Sequence, residues 1–417
     1  MDSALRLGTT LGQLTDRVLG AFGSGVRRFT TWRWWLQVLV VWALGRLFTL
    51  LLVLTVARMQ GPNPWTTERP GYLDYIDGWD AGWYHKIFDE GYPRVLPRDT
   101  AGQLDPNQWA FYPVLPGLAK LLNLGTGVSW LVLGPLISLL ASLALCLLLH
   151  RLFASRASAG TALMAVALFS FQPAAPVLQF GYAESLGLAL LVGVLLCLVH
   201  ERYWTAVPLV VVLSLTRPTS APLALTMLLV AVGWFLLRRT QPVARRRWLG
   251  LGVLTVVTGL STFLWPAVMA VVTGDPDAYF ETEAAWHGNS AVLPGELWAN
   301  IGIRLFGKPL GLLAPVVVVL GLVLVMATRT VRRLGPVLYL WTASYLLYLL
   351  GVVAPNGALP RLLLPAFPLL LAAAMASRSR AYRVTLVIAS LVGQVVWVAW
   401  LWHWSGVGLH GAAESNP

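Results

Sequence analysis

A run of about 20 apolar residues is long enough to cross a bilayer as a helix. This sequence carries such runs almost end to end. They fall at 35–57, 130–150, 161–181, 184–200, 204–216, 218–237, 248–273, 310–328, 335–353, 362–377 and 384–404. Backbone polar groups in hydrocarbon must be satisfied within their own segment, so a chain built this way folds as a helical bundle in a membrane. Composition points the same way. Hydrophobic residues make up 57% and charged residues 12%, about half the usual charged share of a soluble domain. A water-soluble enzyme, a disordered chain and a fibrous repeat are excluded. The expected fold is an all-α polytopic membrane protein with about eleven transmembrane helices. The segments 184–200, 204–216 and 362–377 are short enough to be tilted, broken or partly re-entrant.

The net charge of +12 would suggest nucleic acid in a soluble protein. Here membrane topology predicts the same excess. With the N-terminus in the cytoplasm and 58–129 outside, nineteen of the 30 basic residues fall in inner loops. They include Arg27, Arg28, Arg151, Arg156, Arg245, Arg246, Arg247, Arg332, Arg333 and Arg378. The positive-inside rule accounts for this bias, and no nucleic-acid partner is needed. The stretch 109–124 is apolar but short and interrupted by Pro113, Pro116 and Lys120. A crossing there would invert every later loop, so it is expected to lie along the outer leaflet as a juxtamembrane helix.

These readings divide the chain into a cytoplasmic basic arm (1–34), a first span (35–57), a large outer loop (58–129), spans over 130–273, a second outer loop (274–309), spans over 310–404 and a tail (405–417). No cleavable signal peptide is expected, because the first 30 residues have arginines and no long apolar core. The expected location is the cell membrane, with the outer loops extracytoplasmic. Cys146 and Cys197 lie inside apolar runs and suggest neither a disulfide framework nor a metal cluster. The dominance of Arg over Lys is the bias of a GC-rich genome such as an actinobacterial one.

Acidic residues concentrate where the arginines do not. Eight lie between Glu68 and Asp105, and five between Asp275 and Glu296, so 13 of 18 fall in the two outer loops. Acids contribute little to orientation, so this enrichment marks the outer face for chemistry or binding. The first loop contains Asp74, Asp77 and Asp80 at a spacing of three, interleaved with Tyr72, Tyr75, Trp79, Trp83 and Tyr84. Trp79, Trp83 and Lys86 recur at helical spacing, which predicts an amphipathic interfacial helix from Trp79 onward. Asp80 would sit near its N-terminus, where the helix dipole favours an anion. This pattern suits a carboxylate general base beside aromatics that stack on a sugar or lipid. An aromatic belt with solvating acids is the plainer alternative.

Trp79-Asp80-Ala-Gly-Trp83-Tyr84, then Gly91-Tyr92, then Phe111-Tyr112-Pro113-Val-Leu-Pro116, resembles the first lumenal loop of the PIG-V-like family. That family comprises the GPI mannosyltransferase 2 type enzymes and their bacterial relatives, within the GT-C class of membrane glycosyltransferases. Tyr182-Ala-Glu184-Ser185, Thr216-Arg217-Pro218-Thr219 and Arg361-Leu-Leu-Leu-Pro365-Ala-Phe367-Pro368 resemble later motifs of the family, in the same order. Position 83 is Trp here, where eukaryotic members tend to have His. The resemblance implies a GT-C-like fold and an inverting transfer of a sugar, usually mannose, from a polyprenyl-phosphate donor. It also implies an outer-face active site with an acidic base in the first outer loop. Acceptors would be a glycolipid, lipoglycan or protein.

A phosphate leaving group departs as a stable anion, so one carboxylate suffices, unlike the pair in a glycosidase. Asp80 is the expected base, with Asp77 as runner-up or its partner. The donor phosphate needs cations, for which the planar fork of arginine is suited. Arg361 is the first choice, followed by Arg217, His287 and Lys308. Glu184 is the expected partner of Arg217, and Arg46 is assigned a structural role inside its span. Trp79, Trp83, Tyr84, Tyr112, Glu184 and Trp286 are the expected substrate contacts. No cofactor and no metal are expected. Asp77 and Asp80 could share a divalent cation, but no His or Cys pair has ligand spacing and the acids form no EF-hand loop. The competing readings are a lipid or small-molecule transporter or flippase, a GT-C enzyme using another sugar, and a membrane scaffold. A transporter usually shows two related halves with midplane binding residues, and no half-repeat is visible.

Overall fold

The computed structural model describes residues 29–100, 102–286, 296–352 and 356–403. Helices account for nearly all regular structure. Among the described residues the β pairing is an isolated bridge between Arg98 and Leu104. Five helices are long and apolar enough to cross a membrane: Trp34–Ala57, Trp130–Ala154, Arg245–Thr273, Leu310–Ala327 and Arg380–Trp400. Shorter apolar helices run over Ala159–Phe171, Glu184–Val199, Tyr203–Ser214, Ser220–Leu236 and Pro336–Val352. The fold is therefore that of an all-α, multi-pass membrane protein.

Prolines explain where the expected spans break. The run at 161–181 is helical only over Ala159–Phe171, because Pro173 and Pro176 follow; a 3-10 turn covers Ala175–Gln179. The run at 362–377 is three pieces, Leu359–Leu362, Leu364–Ala366 and Pro368–Ala376, each with a proline at its start. The run at 248–273 lies within the Arg245–Thr273 span and carries a turn at Thr262 and Phe263, just ahead of Pro266.

The helix Trp130–Ala154 is central. It packs on Glu184–Val199, Ala159–Phe171, Val114–Thr126 and Trp34–Ala57. On the far side Leu310–Ala327 has almost no buried surface and presents Val317, Leu320 and Leu324 outward, as a lipid-facing helix does. Inside the bundle, Arg46 donates to the carbonyls of Ala175 (2.6 Å) and Ser170 (3.0 Å). Ser170 lies in the last turn of its helix, where carbonyls lack intrahelical partners and a cation complements the dipole. The structural role expected of Arg46 is what its geometry provides. Arg46→Leu strands two buried acceptors and is expected to lower stability by about 2–4 kcal/mol. A thermal melt in detergent micelles measures this, and Arg46→Lys should recover part of the loss.

Between the first two long helices, the chain forms short helices at Tyr72–Ile76, Asp80–Glu90 and Val114–Thr126. The last buries Leu115, Pro116 and Ala119 and exposes Leu118, Leu121, Leu122 and Leu124. Trp109 pins this segment to the bundle. Its indole donates to the Pro93 carbonyl (2.8 Å), and its own carbonyl accepts from Trp265 (3.0 Å). The second segment, Ala278–Trp286, is tied in by Asn107, which donates to Thr282 (3.2 Å).

Candidate active site

The helix expected from Trp79 onward runs over Asp80–Glu90. Trp79 precedes it with φ 59° and ψ −129°, a conformation that is strained for a bulky residue and needs surrounding structure to hold it. Its ring packs on Trp65 at 4.5 Å between centroids. This turn sets Asp80 in the first helical residue. Glu184 likewise opens its helix, Glu184–Val199. Both carboxylates therefore lie at helix N-termini, where the dipole favours negative charge.

The two carboxylates meet two arginines from distant segments. Arg361 Nη1 donates to Asp80 Oδ2 at 2.5 Å, across 281 positions of sequence. Arg361 Nε lies 3.6 Å from Glu184 Oε1, and Arg217 Nη2 lies 3.1 Å from the same oxygen. The order is Asp80, Arg361, Glu184, Arg217. Asp80, Arg361 and Glu184 are buried. Burial pushes the Asp80 carboxyl above the usual carboxylate value, while the Arg361 guanidinium beside it pulls the other way. Tyr182 lies under the Arg361 guanidinium, 5.5 Å from ring centroid to carbon. Gly187 leaves the room that the Arg217 stem fills: a Cβ there would come within 2.8 Å of Arg217 Cγ.

This tetrad lines a cavity of about 350 Å³. Tyr84, Tyr112 and Trp286 line it too, while Leu188, Leu191, Leu349, Val352 and Leu362 give it an apolar wall. Tyr112 and Tyr279 share a hydrogen bond at 3.1 Å. A buried carboxylate, paired guanidiniums and an apolar wall together could receive a molecule with an anionic head, a hydroxyl and a hydrocarbon tail.

Several expected site residues lie elsewhere. Asp77 does not line the cavity. Its Oδ2 lies 2.6 Å from His85 Nδ1 and its Oδ1 accepts from Trp130 Nε1 at 2.8 Å. That engagement fits a partner role in the loop rather than a base. Trp83 is outside the lining too; it stacks on Phe111 and meets Trp286 edge-on, and both of those rings line the cavity. Trp79 and Lys308 are outside the lining, and Lys308 is exposed. His287 lies outside the described residues. Tyr345 and Tyr348 line the cavity but are absent from the expected set. Tyr345 also donates to the Leu362 carbonyl at 2.7 Å, steadying the turn that carries Arg361. Two tyrosines three residues apart, in a helix that also carries Tyr339, Thr342 and Ser344, were the available signal.

The Asp77–His85 contact raises the His85 pKa above its usual 6.5, chiefly through the hydrogen bond that the imidazole donates to the Asp77 carboxylate. A raised folded-state value means the stabilisation is complete below 6.5 and is lost as pH rises through the folded value. The pair is partly exposed, so the effect is at most about 1 kcal/mol. Melting temperature is expected to fall over that window in the native chain, and His85→Gln should flatten the profile.

No family model and no curated protein matches this sequence. Among solved structures, the chain is similar to the archaeal oligosaccharyltransferase AglB from Archaeoglobus fulgidus, in complex with an inhibitory peptide and a dolichol-phosphate. Identity is 13%, with 91% of this chain and 56% of that chain covered and a TM-score of 0.43. A second Archaeoglobus fulgidus oligosaccharyltransferase structure, complexed with zinc and sulfate, gives 16% identity, 84% and 48% coverage and a TM-score of 0.34. The chain thus spans about half the length of these proteins. At these values neither likeness carries an argument about activity.

Proposed function

We propose that this protein is an integral membrane glycosyltransferase of GT-C type, moving a sugar from a polyprenyl-phosphate donor to an acceptor hydroxyl at the outer membrane face. The observation that carries the proposal is the meeting of Asp80 and Arg361 in one cavity with an apolar wall. In the proposed step the acceptor oxygen attacks the anomeric carbon while the bond from that carbon to the phosphate oxygen breaks. Asp80 takes the hydroxyl proton, and prenyl phosphate departs with the electron pair. Attack opposite the leaving group inverts the centre. Arg361 and Arg217 stabilise the negative charge of the departing phosphate in a site shielded from water. Arg361 exchanges its Asp80 contact for a phosphate oxygen, which frees the carboxylate to act as a base.

Mannose as the sugar, and a glycolipid, lipoglycan or protein as acceptor, rest on the ordered motifs around Asp80, Glu184, Arg217 and Arg361. An extracytoplasmic site in the cell membrane rests on the distribution of arginines. The test is incubation of the purified full-length protein with radiolabelled polyprenyl-phosphate-mannose and membrane extract. Label entering a lipid, lipoglycan or protein fraction is the expected result. Absence of transfer from every prenyl-linked sugar, together with lipid translocation in proteoliposomes, would favour the transporter instead.

A further inference from the structure

A second cavity, of about 370 Å³, is lined by Arg156, Arg333 and Arg378 with Ser158 and Thr161. It lies at the far end of the helix Trp130–Ala154 from Trp130, the residue that bonds Asp77 near the first cavity. A helix of 25 residues spans roughly 38 Å, so the two cavities belong to opposite membrane surfaces. The three arginines come from three separate connections: the one before Ala159–Phe171, the one before Pro336–Val352 and the one before Arg380–Val396.

The positive-inside rule explains why arginines occupy this surface, but it does not require three of them to converge on one cavity. No Asp or Glu lines the space. Among the described residues, none of the three arginines forms an ion pair. Like charges gathered without a carboxylate are unfavourable until an anion joins them.

Arg156 is seated rather than dangling. Its guanidinium rests on Gly335, where φ is +79° and a Cβ would come within 2.7 Å of Nη1. Its Nε is buried and lacks a hydrogen-bond partner. The cavity also meets the start of the 13-residue helix Ala159–Phe171, whose first turn has no side-chain cap. The Ser158 hydroxyl donates to Thr161 Oγ1 (3.1 Å) instead. Three unpaired guanidiniums, an orphaned Nε and an uncapped helix start favour the same guest, a phosphate with several acceptor oxygens.

We propose that this cavity binds a phosphate anion at the membrane surface opposite the first cavity, presented by an acidic phospholipid headgroup or by a free phosphate. This site is independent of the glycosyl-transfer reading.

The full-length protein in phosphatidylcholine nanodiscs, doped with phosphatidylglycerol or cardiolipin, tests the lipid source by native mass spectrometry. Inorganic phosphate in a detergent thermal-shift assay tests the free source. The combined Arg156→Gln, Arg333→Gln and Arg378→Gln variant is expected to bind about tenfold more weakly or worse. Arg239→Gln, Arg245→Gln and Arg329→Gln remove the same charge from exposed positions and should bind as the native chain does. Acidic lipid retained in preference to phosphatidylcholine assigns the headgroup. A shift with phosphate and no lipid retention assigns the free anion. If the triple variant misfolds, Arg156→Lys keeps the charge but loses the fork, and weaker binding by it supports the seat on Gly335. Equal binding by the native, cavity and control proteins, or by native and Arg156→Lys in that second case, overturns the proposal.

Discussion

Asp80→Asn is expected to lower sugar transfer by about two to four orders of magnitude, the range for removing a general base, while leaving the protein folded. The fold survives because Arg361 keeps a second counterion: Glu184 Oε1 lies 3.6 Å from its Nε. The amide retains the shape of the carboxylate but cannot accept the acceptor's proton. Rate against pH adds an independent readout. Burial raises the Asp80 carboxyl above its usual 3.8, so transfer by the native chain should climb as pH rises through that raised value. The variant's residual rate should lack this acid limb. Full activity in a folded Asp80→Asn protein would remove Asp80 from the chemistry.

Glu184→Gln is expected to act differently, with its main effect on stability. One oxygen of Glu184 faces both Arg217 at 3.1 Å and Arg361 at 3.6 Å. Replacing it takes from Arg217 its carboxylate partner in the tetrad and leaves Arg361 with Asp80 alone. Breaking a buried ion pair from one side costs about 3–5 kcal/mol. The unfolding midpoint in detergent should therefore fall much further than in Asp80→Asn, and Glu184→Asp should recover part of it. A Glu184→Gln protein as stable as the native chain would show that the bridge is not structural.

The sequence was most informative where chemistry is local. The helix beginning beside Trp79 was readable from aromatic and basic residues at helical spacing, and it runs over Asp80–Glu90. The pairing of Arg217 with Glu184 was readable because a charge within an apolar run needs a partner, and the two stand in contact. What could not be read was convergence. Nothing near Asp77 in sequence indicates that Trp130 would occupy one of its oxygens. Tyr345 and Tyr348 looked like ordinary members of an apolar helix until the fold set them against the Arg361 turn. The helix ends were misjudged for a different reason. Hydropathy continues through Pro173, Pro365 and Pro368, but proline supplies no N–H and breaks the ladder.

Around the first cavity two positive side chains, Arg217 and Arg361, face three negative ones, Asp80, Glu184 and Glu283. An anionic reactant at a distance therefore feels little pull, in contrast to enzymes whose clefts draw charged molecules from solution. Under the proposed function the donor is a carrier anchored in the leaflet, which does not need that pull because it already diffuses in the plane of the membrane. On that proposal, capture would depend on lateral mobility and on how well a hydrocarbon tail matches Leu188, Leu191 and Leu349. Recognition of the head follows at short range, when ionic contacts trade places.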